Sequence, residues 1–229
     1  ALLVATPFLI TVVSLGYTRQ AAAIGFLMWG LVDLMNGKYI YFIIAVLIGA
    51  LFHVTVMVMI AIPLLYKGQG KIVILLASPL LYLIYLNYQF QINFMIYHYI
   101  TTEIHHSSGS IARLFVGFVS AALFFLYQKK MRKKYNDWQL WLVFSIINAV
   151  LFPASFFYST VIDRFSIYFI PLQMIVLSRV PGLILSRYNR TIFILFIIFF
   201  YFFMLTIWLF FGKNSHAWIP YQNFLTSII

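Results

Sequence analysis

The stretch "TIFILFIIFFYFFMLTIWLFF" (residues 191–211) decides the fold. It carries no charge and is apolar on every side of a helix drawn through it, and a bilayer crossing needs about 20 such residues. The rest of the chain agrees: of 229 residues 64% are hydrophobic and 8% charged, and the mean hydropathy is +1.00. A globular core of this length cannot hide that much apolar surface. The sequence predicts an all-α polytopic membrane protein, and the run itself reads as a lipid-facing span with no cofactor role.

Working outward, apolar segments occupy 1–16, 20–35, 40–66, 72–88, 111–128, 138–159, 165–185 and 191–212. The expectation is about seven transmembrane helices, plus one short re-entrant or periplasmic-face helix at 20–35, in a single transmembrane domain covering 1–229. The 20–35 segment is set apart because it is shorter than a span and rich in Ala and Gly. The chain opens at Ala1, inside an apolar run and without Met, and is expected to lack earlier spans.

Charge suggests the orientation. "KKMRKK" (129–134) places five Lys and Arg within six residues, the mark of a cytoplasmic loop that also meets anionic lipid. Alternation puts Lys67, Lys71, Arg179, Arg187 and Arg190 on the same side, which then holds ten of the fifteen basic residues. The opposite face takes 89–110, 159–164 and the tail. The net charge of +11 suits this membrane role, and no soluble basic domain offers itself to nucleic acid. Cysteine is absent, which excludes disulfides and thiolate metal sites.

A few basic residues remain on the external side, and these need a reason. Lys38 and Lys213 read as headgroup anchors. Arg164 differs, because "VIDRFSIYFIPLQ" (161–173) sets it beside Asp163 at the lip of an apolar run. Two readings apply: an Asp163–Arg164 ion pair tying helix ends, or an anion site. "YHYITTEIHHSS" (97–108) is the most polar external stretch, but its His98, Glu103, His105 and His106 lack metal-ligand spacing, and no metal is expected.

Three patterns resemble the EpsG family of exopolysaccharide polymerases, within the wider group of Wzy-type O-antigen and capsule polymerases. They are "YTRQAAAIGFLMWGL" (17–31), "AVLIGALFHVTVMVMIAIPLL" (45–65) with His53 at its middle, and "DRFSIYFIPLQ" (163–173); "WIPYQNFL" (218–225) is a weaker fourth. The resemblance implies a bacterial plasma-membrane enzyme whose active site faces the periplasm or outside. It would transfer a growing glycan from undecaprenyl diphosphate to a sugar hydroxyl of the next lipid-linked unit. A chain-length regulator and a flippase of the same pathway would be partners. No nucleotide is required, and the chain has neither a P-loop nor a GxGxxG.

That chemistry suits these residues. A departing diphosphate gathers negative charge, and guanidinium donors fit phosphate oxygens in pairs. Arg164, Asp163, Arg19 and Glu103 are the catalytic candidates. Arg164 would bind diphosphate, Asp163 would orient it or move a proton, Arg19 would stand at a helix N-terminus, and Glu103 is a further base. Arg113, His53, Gln20, Tyr168, Tyr97 and His105 are the substrate-binding candidates. A lone mid-span histidine such as His53 is more often a hydrogen-bonded core residue than a catalyst. Alternatives to a polymerase are a lipid-linked oligosaccharide flippase or transporter, or an O-antigen ligase; a transporter would spread polar groups through many spans.

The chain has no cysteine, so single-cysteine variants report topology cleanly. Impermeant thiol reagents applied from outside should label positions in 97–108 and near His216 but not 129–137. External labelling of a Lys133→Cys variant would reverse the orientation.

Overall fold

The computed structural model describes residues 2–66 and 109–212, with isolated positions elsewhere. These are helical throughout, and no strand occurs among them. A first helical run, α1 (2–16), has a π-helical middle at Thr6–Val13. Then come α2 (Thr18–Met35), α3 (Tyr39–Phe52) and α4 (Val54–Leu65). After the undescribed region follow α5 (Ser110–Lys134), α6 (Trp138–Ala154), α7 (Ser159–Phe169), α8 (Pro171–Leu183) and α9 (Arg187–Phe211).

Among the described residues two helices, α5 and α9, are long and apolar enough to cross a membrane, or three if the bent pair α7–α8 counts as one span. The described residues do not confirm the expected count of about seven. Two of the expected spans are interrupted. The run 40–66 breaks at His53, whose backbone is extended (φ −150°, ψ 106°) between α3 and the 3₁₀ turns of α4. The run 165–185 begins earlier than expected, at Ser159, and bends by 51° where Pro171 opens α8. Proline lacks the N–H that would continue α7, yet its fixed φ suits the first position of a new helix. Segment 72–88 lies outside the described residues.

Segment 20–35 belongs to an 18-residue continuous helix, α2. It forms a hairpin with α3 through Asn36 and Gly37, whose φ of 77° is the left-handed conformation that favours glycine. Small residues let the two backbones close. A Cβ at Gly30 would meet Ala45 Cβ at 3.0 Å, and one at Gly49 would meet the Ala23 carbonyl oxygen at 3.2 Å. Such contacts are the usual means of helix association where lipid removes the hydrophobic drive. The hairpin leaves one end of the bundle and returns to it, bringing His53 back beside the start of α2.

The core joins α2, α3 and α4 to α5 through α8, with Phe144 edge-on to Trp141 (5.3 Å) and Phe169 (5.2 Å). Helix α9 behaves much as its sequence suggests, burying only Ile197 and Tyr201 and turning most of its phenylalanines outward, while Phe193 and Phe200 pack against the core. Tyr201 is the exception to its apolar character, donating to Gln173 Oε1 at 3.1 Å.

The ends of α5 define the two ends of the bundle. At about 1.5 Å per residue this helix is roughly 37 Å long. Arg113 lies in its first turn and the basic run in its last. At the basic end, Lys130 donates to the Leu183 carbonyl (3.1 Å) and Lys134 to that of Gly182 (3.4 Å), capping α8. Arg179 grips Asp137 with two bonds of 2.8 Å and lies 4.2 Å from the Tyr135 ring centre. Loops 129–137 and 179–190 thus share one end, as charge alternation requires. Lys38, expected as an external headgroup anchor, follows the far end of α2, about 20 Å along that helix from its beginning, where it reaches Asp33 at 4.0 Å.

Burial pushes the Asp137 carboxyl up, but hydrogen bonds from Arg179 and Trp141 and the Arg179 charge outweigh it and hold the group below the usual carboxylate range. A depressed folded pKa stabilises the fold above the unfolded value of 3.8, and this stability is lost as pH falls through the folded one. Thermal melts in detergent should therefore lose stability below about pH 4. Asp137→Asn should lose about 1–3 kcal/mol at neutral pH and flatten that acid response. An unaltered acid response in the variant would place the acid-sensitive group elsewhere.

Candidate functional site

The site forms at the end of the bundle opposite the basic loop, around the short helix α7. Within an α-helix, consecutive residues point about 100° apart, so Asp163 and Arg164 cannot face each other. The expected Asp163–Arg164 pair is not formed. Asp163 is instead held by Arg113 of α5, whose Nε donates to Oδ1 at 2.9 Å and whose terminal nitrogen donates to Oδ2 at 2.5 Å. Both side chains are largely sheltered, at 26% and 14% exposure. Arg113 is thus turned to a carboxylate, and the pair ties α7 to the head of α5. Gly109, with φ 84°, begins α5 in the left-handed conformation just ahead of it.

Arg164, one position on, is exposed and close enough to His53 for their charges to interact. Its carbonyl accepts a long hydrogen bond (3.5 Å) from Nε2 of Gln20, a buried side chain in the first turn of α2. Arg19, beside Gln20, is exposed at the same end as Arg164.

The break at His53 has a tertiary cause. Thr55 Oγ1 lies 2.7 Å from His53 Nδ1 and 2.7 Å from Tyr168 OH, and Tyr168 OH lies 2.9 Å from the same nitrogen. Three polar atoms thus form a closed triangle between the α3–α4 break and α7. Gln20 also hydrogen-bonds the Tyr168 side chain. Residues two apart on a helix point to different sides, and the extended backbone at His53 is what brings Thr55 alongside the ring. His53, expected in the middle of a continuous span, is a hinge residue at the meeting of three segments.

The sequence reasoning missed Thr55. Its signal, a hydroxyl two positions from a histidine, has meaning only once the helix is known to break. Tyr168, by contrast, is fully buried and central. Tyr97 is an exposed ring, while Glu103 and His105 lie outside the described residues. Among the described residues no three metal-ligating side chains come together.

The three sequence patterns, two of them close in the chain and the third far from both, therefore meet at one place. The model of the EpsG family matches residues 1–223. The chain belongs to the EpsG family. Membership gives it a polysaccharide-polymerase type of function in exopolysaccharide biosynthesis, and with its apolar helices makes it an integral membrane protein. Comparison with curated proteins and with solved structures found no match.

The Arg113–Asp163 tie can be separated from chemistry by a double-variant cycle. Removing one partner of a sheltered pair leaves a charge stranded, whereas removing both does not. Arg113→Gln with Asp163→Asn should melt at a higher temperature than either single variant. A double variant less stable than both singles would mean that the pair is not what joins α7 to α5.

Proposed function

We propose that this EpsG-family protein polymerises lipid-linked oligosaccharide repeat units, moving the growing glycan from undecaprenyl diphosphate to a sugar hydroxyl of the next unit at the outer face of a bacterial plasma membrane. The observation that carries this reading is the convergence of Gln20, His53 and the Arg164 segment at one end of the bundle, with Arg19 and Arg164 exposed beside them.

In the reaction, the hydroxyl oxygen of the acceptor sugar forms a bond to the anomeric carbon. The bond from that carbon to the diphosphate oxygen breaks, and the diphosphate departs with the electron pair. Its negative charge is greater in the transition state than in the bound donor. A fixed guanidinium at that point therefore lowers the barrier, rather than only tightening binding. Arg164 is placed for this by its own backbone, since Gln20 holds its carbonyl and Arg113 holds its neighbour. Arg113 spends its fork on Asp163, which neutralises that carboxylate beside an anionic leaving group. Asp163 accordingly acts through position, not as the base. Arg19 adds a second exposed positive charge.

A transporter reading fits less well, because the exposed arginines at this end gather on one face instead of tracing a path between the two ends. A chain-length regulator and a flippase of the same pathway would be its partners.

The test is reconstitution of the chain in vesicles with synthetic undecaprenyl-diphosphate-linked repeat units. Arg164→Ala should insert and bind to the membrane as the parent does, yet lose about 100- to 1,000-fold in polymer formation. Wild-type polymer length from this variant would remove Arg164 from the reaction. Transfer onto a foreign lipid-linked acceptor, without chain growth, would indicate a ligase.

A further inference from the structure

The polymerase reading needs an acceptor for the proton of the attacking hydroxyl, and it rests on that reading to ask which group serves. Asp163 is engaged by both nitrogens of the Arg113 fork. The adjacent polar group on the same end is His53, whose Nδ1 is bound into the triangle with Thr55 and Tyr168 while its Nε2 has no hydrogen-bond partner among the described residues.

Counting hydrogens around the triangle gives an orientation. The Arg164 carbonyl can only accept, so the Gln20 amide nitrogen must be the atom turned towards it. The second hydrogen of the same amide group goes to the Tyr168 phenol oxygen. Were Nδ1 an acceptor, Thr55 and Tyr168 would each turn their one hydrogen to it, at 2.7 and 2.9 Å, and the 2.7 Å contact between the two hydroxyls would hold no hydrogen. With the hydrogen on Nδ1, both hydroxyls present lone pairs to it and one of them donates to the other. All three contacts are hydrogen bonds only if Nδ1 carries the imidazole hydrogen, and in a neutral ring that leaves the lone pair on Nε2.

From this we infer that His53 is the general base of the transfer, with Tyr168 and Thr55 fixing its tautomer and aiming Nε2, and Gln20 holding Tyr168 in place. The acceptor hydroxyl gives its proton to Nε2 as its oxygen bonds to the anomeric carbon and the diphosphate leaves with the electron pair of the broken bond. The imidazolium then returns the proton to the released diphosphate or to water, and the neutral ring is restored. Two features of the surroundings suit a base. Burial and the positive charge of Arg164 on α7 oppose protonation before substrate arrives, and the bound diphosphate offsets that charge when the proton must be taken. Tyr168, also facing the ring, contributes an uncharged hydroxyl. The helix break earns its place here, because only an extended residue 53 allows Thr55 and the ring to share one side.

The experiment uses the full chain in vesicles with an undecaprenyl-diphosphate-linked oligosaccharide as donor and acceptor, and records rate against pH together with donor binding. His53→Asn retains an amide that can donate where Nδ1 does but has no basic nitrogen at the Nε2 position. It should bind donor as the parent does, lose about 100-fold or more in rate, and lose the acid limb of the profile. Tyr168→Phe keeps the ring packing and removes an acceptor that stabilises the imidazolium. It should slow transfer about tenfold and move the acid limb to lower pH, a displacement that mere loosening of the fold would not produce. A His53→Asn variant with the parental rate or acid limb would overturn the assignment. If that variant fails to bind donor, the Tyr168→Phe profile decides: an acid limb that stays in place overturns it as well. Absence of transfer by the parent chain would instead overturn the polymerase reading beneath it, and is recognised because no profile would exist to compare.

Discussion

The bidentate bond between Arg113 and Asp163 is the contact on which the arrangement at this end depends. Helix α7 is short, amphipathic and set at 51° to α8, so no continuous backbone ladder holds it in place. A carboxylate pinned by two guanidinium donors fixes both its position and its rotation about its own axis. With Asp163 turned to α5, Arg164 must point elsewhere, and its carbonyl must present itself to Gln20. Tyr168, one turn further on, is delivered to the break at His53. A single long-range pair thereby sets the placement of four segments.

The opposite end uses the same device for a different purpose. Arg179 and Asp137 form a second two-pronged pair, and Lys130 and Lys134 cap the carbonyls at the end of α8. The basic run is therefore more than a topological signal, since two of its lysines close a helix terminus. Between the two pairs the helices meet through the apolar core, with small side chains and the buried Asn148 at their closest approaches. Gly117 is one such place: a Cβ there would lie 2.4 Å from Asn148 Oδ1, so the buried Asn148 depends on its absence.

What could be read from the sequence divides along the reach of the interactions. The long apolar runs at 111–128, 138–159 and 191–212 correspond to α5, α6 and α9, because length and composition alone require a helix there. His53, Gln20, Tyr168 and Arg164 were singled out through the family resemblance, and the structure brings these four together. Their roles relative to one another were not visible. Asp163 stands beside Arg164 in sequence and fifty residues from Arg113, yet helix geometry forbids the first pairing and tertiary packing makes the second. The break at His53 leaves no local mark either: no proline or glycine adjoins it, and the extended backbone is sustained by hydrogen bonds to Tyr168 on a distant segment. A sequence window cannot contain both halves of such an interaction.

The helix lengths carry a further consequence for the surrounding lipid. Helix α6 has 17 residues and α3 has 14, about 25 and 21 Å, whereas α5 and α9, at 25 residues, reach roughly 37 Å. The apolar stretches 111–128 of α5 and 191–211 of α9, about 27 and 31 Å, match a hydrocarbon layer of about 30 Å, so the basic last turn of α5 and the first turn of α9 with Arg187 and Arg190 stand beyond it. Helices α6 and α3 are too short to do the same alone: where either faces lipid, the layer thins beside it or its ends are covered by protein.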